Sequence, residues 1–329
     1  MIVRLLQLDG KLPNLALMAA ANHHRSRGDK VEFAFTGTIT AAETEPGADR
    51  IYASLIFEKT RPIAEKLKER FPKALIGGTG WDVASKLEDH GIDSNKLDYS
   101  LYPNYKFSIG FTQRGCRLSC KFCVVPRKEG KVKEIQTIKE LWRGEPYPKN
   151  LVLLDNDFFG QPHWTDRIRE IKEGGFKVNF CQGINARMLN DESASAIASV
   201  PYYDSKFERH QIYTAWDNIG DRNRLFKGLE ALVRHGVKPY HIMVYVLVGY
   251  WRGSKLAEED FERQRELRAF GAVPYPMPFV RTKELIGFQR WCLGAYDKRV
   301  PWGEWEKAGY RPENLGWKKK NGRWIGRKP

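Results

Sequence analysis

The chain has 329 residues, 42% apolar and 29% charged, and 55 Lys and Arg against 40 Asp and Glu give it a formal net charge of +15. That length suggests about two domains, and without a low-complexity tract the composition is that of an ordinary globular protein. Five cysteines, odd in number and clustered, argue against a disulfide framework. The most apolar run, residues 242–250, is too short to cross a bilayer. With no secretory signal at the N-terminus, a cytoplasmic setting and no membrane partner are expected.

From the N-terminus, Ile2 to Leu8 reads as a strand and Leu15 to His24 as a helix that Gly28-Asp29 stops; His23 and His24 are expected on its surface. Strands are expected over 31–36, 50–57 and 74–76, with an amphipathic helix over Thr60 to Phe71. Alternating strands and helices imply a doubly wound, Rossmann-like parallel sheet. Gly77-Gly78-Thr79-Gly80 closes the fourth strand at the edge where such sheets take ligands, although a glycine cluster there also serves as a plain turn. Together, Asn14 at the opening of the first helix, Gly28-Asp29 at its end and Gly77, Gly78, Thr79 and Gly80 resemble a cobalamin-binding domain. That domain precedes the catalytic domain in one branch of the radical S-adenosylmethionine enzymes. The resemblance covers about residues 1–100 and lacks the histidine motif that ligates cobalt from below in other cobalamin proteins. It implies either a cobalamin site or an empty relic of one.

Leu101 to Asn104 reads as a linker, and a second domain is expected over 105–280. Strand candidates over 107–112, 150–154, 177–181, 211–216, 241–248 and 273–279 are separated by helical stretches over 135–143, 163–173, 192–199, 222–235 and 256–270. Six strand–helix units make a partial (β/α)6 barrel, whose catalytic groups lie at the carboxyl ends of the strands. Gly115-Cys116-Arg117-Leu118-Ser119-Cys120-Lys121-Phe122-Cys123 follows the first of these strands. Cysteines spaced by four and three bring three sulfurs to one metal centre and leave a coordination position open. Zinc would call for a fourth Cys or His close by, and the next histidine is His163.

The spacing of Cys116, Cys120 and Cys123, with Phe122 before the last, resembles the signature of the radical S-adenosylmethionine superfamily. The resemblance implies a four-iron four-sulfur cluster on the three cysteines and S-adenosylmethionine on the fourth iron, with Phe122 part of that binding site. Reductive cleavage would give a 5′-deoxyadenosyl radical that abstracts hydrogen from a substrate; if cobalamin is bound, methyl transfer is the natural outcome. A small molecule or peptide would be the substrate, and flavodoxin or ferredoxin the reductant. Asp155, Asn156 and Asp157 match the acidic loop that meets the methionine ammonium, or else form an Asx turn. Arg187 is a candidate for the methionine carboxylate, Gln182 and Asn185 for ribose or substrate, Asp217 for ribose, and the backbone at Val246 for adenine. Cys181 reads either as a thiol near the radical or as a small buried residue.

Residues 281–329 read as a C-terminal cap and basic tail. Trp291, Trp302, Trp305, Trp317 and Trp324 lie there among Lys and Arg, a pattern for a barrel cap or for stacking on nucleic acid. Lys318, Lys319, Lys320, Arg323, Arg327 and Lys328 fall in the last twelve residues without an acid, and removing them still leaves +9. Two alternatives therefore stand beside the radical enzyme: one of that class acting on nucleic acid, and a non-enzymatic nucleic-acid-binding protein with a structural metal.

Overall fold

The computed structural model describes residues 1–36, 47–320 and 322–325; Arg327 and Lys328 of the expected tail lie outside them. The fold is mixed α/β with parallel sheets, divided into two compact units over residues 1–161 and 162–329. This division coincides with neither expected boundary, at residue 100 or at 280.

In the first unit, β1 (Ile2–Gln7), β2 (Lys30–Phe35), β3 (Arg50–Ser54) and β4 (Leu75–Gly77) form a parallel sheet in the order β2-β1-β3-β4. The two-residue period of β1 decides how it is covered. Val3 and Leu5 pack with Leu17, Met18 and Ala21 of α1 (Leu15–Arg25), whereas Leu6 and Leu8 pack with Ala64 and Leu67 of α2 (Arg61–Arg70). His24 is not at the surface. It is fully buried, with Nδ1 2.7 Å from Asp29 Oδ2 and Nε2 3.0 Å from the Tyr52 hydroxyl, so a polar network replaces solvent on that helix face.

The expected linker is an anchor. Leu101 is buried in the α1 core, and the Tyr102 hydroxyl donates to Gln7 Oε1 at 2.6 Å and accepts from Asn14 N at 3.0 Å. Tyr99 bonds both main-chain groups of Ile109 in the next strand through its hydroxyl, at 3.2 and 2.9 Å. Two tyrosines thus fasten the N-terminal sheet to the chain that follows, and this is why the first unit continues past residue 100. Beyond them, β5 (Ser108–Gly110) pairs in parallel with β8 (Asn150–Leu153), and β6 (Gln113–Arg114) pairs antiparallel with β7 (Lys133–Glu134). The helix expected over 135–143 is a single turn, α4 (Ile138–Leu141), closed at its start by a Thr137/Glu140 capping box.

The second unit continues the strand–helix alternation: α5 (Trp164–Gly174), β9 (Lys177–Phe180), α6 (Asp191–Ala198), β10 (Ile212–Ala215), α7 (Arg222–Arg234), β11 (Ile242–Val248), α8 (Glu258–Phe270) and β12 (Val273–Pro278). The order β10-β11-β12 makes a parallel sheet, and no barrel sheet is present among the described residues. Two of the five tryptophans of residues 281–329 are buried and build a core. Trp305 and Trp291 are buried, their indole N–H groups donate to Gly287 O and Val300 O, and Phe261, Phe288 and Trp302 surround Trp291. They lie around α9 (Lys283–Leu293) and α10 (Trp302–Lys307); Lys318–Lys320 form β13, an exposed strand paired with β14 (Arg323–Ile325).

Candidate metal centre

The cysteine loop leaves β6 at Gly115 and returns to β7, so the β6–β7 pair is its base. Gly115 has φ +84°, and a Cβ there would lie 2.2 Å from the Lys131 carbonyl oxygen. Only glycine fits the turn. Cys116 N donates to Gly130 O at 3.2 Å and closes the loop. Within it, Cys123 N donates to Cys120 O at 3.0 Å, and α3 (Val125–Lys128) follows at once.

The three cysteines and Phe122 are half-buried, and none of the three thiols is in a disulfide. Leu118 N donates to Cys116 Sγ and Val125 N to Cys123 Sγ, both at 3.4 Å. Burial pushes the Cys116 thiol up, and the nearby charges of Asp157, Cys120 and Cys123 push it further. The donor set therefore suits a positive centre, which relieves that repulsion. Among the described residues no three His, Cys, Asp or Glu side chains gather to hold a single metal ion. Thiolates that each take a different iron of a cluster have no need to converge on one point.

Three side chains that the motif does not include hold the loop. Gln113, fully buried, donates through Nε2 to Arg114 O and Gly115 O at 2.9 and 2.6 Å, and its Oε1 accepts from Asp157 N at 3.1 Å. Asp157 accepts from Arg117 N at 3.1 Å and from the Arg117 guanidinium at 2.8 and 3.0 Å, a bidentate clamp on the residue after Cys116. Glu129 accepts from Gly115 N at 3.0 Å, Arg114 Nη2 at 3.2 Å and Asn156 Nδ2 at 2.8 Å. The signal for Glu129 was in the sequence: it is the one acid among seven bases between Arg114 and Lys133. Nothing local marks Gln113.

Of the acidic loop after β8, Asp155 is buried and accepts from Thr112 N at 2.7 Å, Gln113 N at 3.2 Å and the Thr112 hydroxyl. Its carboxylate splices the ends of β5 and β8, as that of Asp157 clamps Arg117. Among the described residues the Asn156 side chain bonds Glu129 alone and keeps its amide oxygen unengaged.

The residues matched to a cobalamin site have structural employment. Asn14 caps α1 through Leu17 N and donates to Ser54 Oγ at 2.8 Å. A Cβ on Gly78 would lie 2.1 Å from Leu55 O, and one on Gly80 2.7 Å from the Phe57 backbone, so both glycines serve close chain packing; Gly77 faces open space. Thr79 Oγ1 accepts from Lys128 Nζ at 2.9 Å, and burial holds the Lys128 ammonium below its usual range. A cavity of about 520 Å³ lies here, lined by Gly78, Asp82, Arg114, Lys128, Glu129 and Lys133 among others.

The second unit gathers another group. Arg187, on a short turn after β9, donates to Asp221 Oδ2 at 2.5 Å and to Asn185 Oδ1 at 3.2 Å. A Cβ on Gly228 would meet Ala186 O at 1.9 Å, so α7 presses directly on that turn. Gln182 is exposed, and Val246 is buried within β11. Cys181 is half-buried, and burial raises its thiol.

No family model matches the chain, and no curated protein matches it.

Asp217 belongs with Arg187. Burial lifts its carboxyl from 3.8 to about 6, against the pull of Arg187 and Arg263. The folded chain thus holds a proton that the unfolded chain releases, and stability falls as pH rises from about 4 through 6. The stability lost across this window is at most about 3 kcal/mol. Asp217→Asn should flatten thermal stability across it and raise stability above pH 6; an unchanged pH profile would refute the assignment.

Proposed function

We propose that Cys116, Cys120 and Cys123 hold a four-iron four-sulfur cluster and that the protein is a radical S-adenosylmethionine enzyme. One observation carries the reading. Three half-buried thiols spaced by four and three lie in the loop that leaves β6, shortly after the parallel strand β5, and main-chain N–H groups already point at two of the sulfurs. Such N–H groups and partial burial are what tune a cluster's potential. Cys116, Cys120 and Cys123 would hold the cluster, and the chemistry it would supply is one-electron reduction of S-adenosylmethionine to methionine and a 5′-deoxyadenosyl radical.

The chain's own residues position and shield. Gln113, Asp157 and Glu129 keep the loop in one shape, so that the open side of the centre is fixed. Asn156, with its unengaged amide oxygen, is the acceptor for the methionine ammonium in preference to the occupied Asp155 and Asp157. Arg187 offers a guanidinium to a carboxylate, oriented by Asp221 and Asn185. Asn14, Gly78, Thr79 and Gly80 are engaged in internal contacts, so the reading includes no role for cobalamin.

Anaerobic reconstitution with iron and sulfide tests the proposal. About four irons per chain, absorbance near roughly 400 nm and 5′-deoxyadenosine on reduction are expected. Cys116→Ala, Cys120→Ala and Cys123→Ala should each remove all three signals. One zinc per chain with none of these signals would overturn the reading. A nucleic-acid substrate is favoured by a specific surface of the second unit.

A further inference from the structure

Two loops leave the carboxyl ends of neighbouring parallel strands, β11 and β12, whose Val248 and Pro278 are in register. The first reads Tyr250-Trp251-Arg252-Gly253-Ser254-Lys255 and the second Phe279-Val280-Arg281-Thr282-Lys283. Together they carry three aromatics and four cations and no acid. Their bases are joined, because Phe279 N donates to Val248 O at 3.0 Å.

The aromatics form one group, in which Tyr250 is half-buried and Trp251 and Phe279 are exposed. The Tyr250 ring lies 4.9 Å from Trp251 and 4.8 Å from Phe279, edge to face in both cases. Trp251 is 43% exposed and Phe279 52%, and Met277 beside them is 43% exposed. The Trp251 indole N–H donates to Asp217 O at 2.7 Å, which holds an exposed ring in one orientation. Gly249 has φ +76°, so the first loop turns through left-handed backbone that favours glycine. Arg252 pairs with Glu259 at 2.7 Å, and Lys283 lies over the Tyr310 ring. Lys255 and Arg281 are exposed and have no ion-pair partner among the described residues.

We propose that Tyr250, Trp251 and Phe279, flanked by Lys255 and Arg281, are the docking platform for a single-stranded nucleic acid. Every base offers a face to stack on a fixed aromatic ring, and unpaired cations beside the rings take the phosphates. The acid-free loops and a chain charge of +15 select nucleic acid over an acid-poor peptide. A parallel sheet takes its ligands at the strands' carboxyl ends, where this platform stands. The inference extends the proposed radical chemistry to a substrate class and rests on it only for the reaction. Binding needs no cluster, so the two readings fail separately.

The test is fluorescence anisotropy of a labelled single strand, RNA or DNA, about twelve nucleotides long, on the full chain at low salt. Binding is expected to weaken about 10- to 100-fold in Trp251→Ala and in Phe279→Ala. Arg281→Gln should lower the slope of log affinity against log salt by about 0.7. Trp251→Phe keeps a stacking ring, so it should hold affinity within a few-fold while base-induced tryptophan quenching drops, which separates stacking from misfolding. The proposal is overturned by absence of binding. It is equally overturned if affinity is indifferent to the aromatic variants but lost when Lys318, Lys319 and Lys320 become Gln, or if the aromatic variants affect only the binding of an unstructured peptide.

Discussion

A Gly115→Ala chain should retain little iron after reconstitution although all three cysteines are present. The added Cβ meets Lys131 O at 2.2 Å and Gly130 O at 2.8 Å, and φ is +84°. Backbone atoms cannot swing aside as a flexible side chain can, so the loop must open at its base. Opening breaks the Cys116 N to Gly130 O bond and the Arg114–Lys133 pairing. Strain of about 3 kcal/mol or more, from left-handed backbone and the overlap together, reduces the native loop about a hundredfold relative to opened forms. Gly130→Ala is the matched control. Its φ is +73°, but a Cβ there meets nothing within 4 Å, so it should lose about 1 kcal/mol and keep most of its iron. Iron per chain and the visible spectrum read the outcome, with circular dichroism to show that the rest of the chain is folded. Full iron in Gly115→Ala would mean that this loop is not the frame of the centre.

The second unit should be most sensitive at Arg263. Its side chain is 3% exposed. Nη1 donates to Trp216 O at 2.6 Å, and Nη2 to Leu247 O at 2.9 Å and to Asp260 Oδ1 at 2.5 Å. One cation thus ties α8 to Trp216, just after β10, and to Leu247, near the end of β11, beside the loops that carry Asp217 and Trp251. Arg263→Met leaves a buried carboxylate and two carbonyls without their donor, and about 3–5 kcal/mol of stability should be lost. Burial already raises the Asp260 carboxyl, and Arg263 opposes that rise. Without Arg263 the folded chain binds the Asp260 proton more tightly than the unfolded chain does, so the loss should be greater at about pH 8 than at about pH 5. Denaturant midpoints at both pH values measure this. Arg263→Lys should recover only part, because one ammonium cannot reach all three acceptors. A loss in Arg263→Met below about 1 kcal/mol would show that the carbonyls find other donors.

Much of the first unit was legible in the sequence. The run Ile2–Gln7 is apolar on both faces because helices cover both, and the parallel order follows from strands alternating with helices. The cysteine loop was legible because its ligands lie within eight residues and spacing alone sets what they can reach. Leu101 to Asn104 was not. A short stretch holding Pro103 and Asn104 reads as a linker until Tyr102 is seen to reach Gln7, 95 residues away. His24 was misplaced for the same reason, since its partners Asp29 and Tyr52 come from beyond its helix.

The roles within the acidic loop also waited for the fold. Asp155, Asn156 and Asp157 are equivalent as local acceptors, yet two face the ends of β5 and the cysteine loop and are occupied, whereas the Asn156 amide oxygen accepts no hydrogen bond among the described residues. The aromatic signal was divided in the same way. Five tryptophans among C-terminal basic residues drew attention, but Trp291 and Trp305 are buried, whereas Trp251 and Phe279, 28 residues apart in sequence, share one exposed edge. By itself the sequence determined what depends on neighbours along the chain: the strand–helix order, the glycine turns and the spacing of three thiols. The tertiary structure decided which polar side chains are already engaged and which aromatics reach solvent, because a hydrogen bond or a buried face is made with residues that only folding brings near.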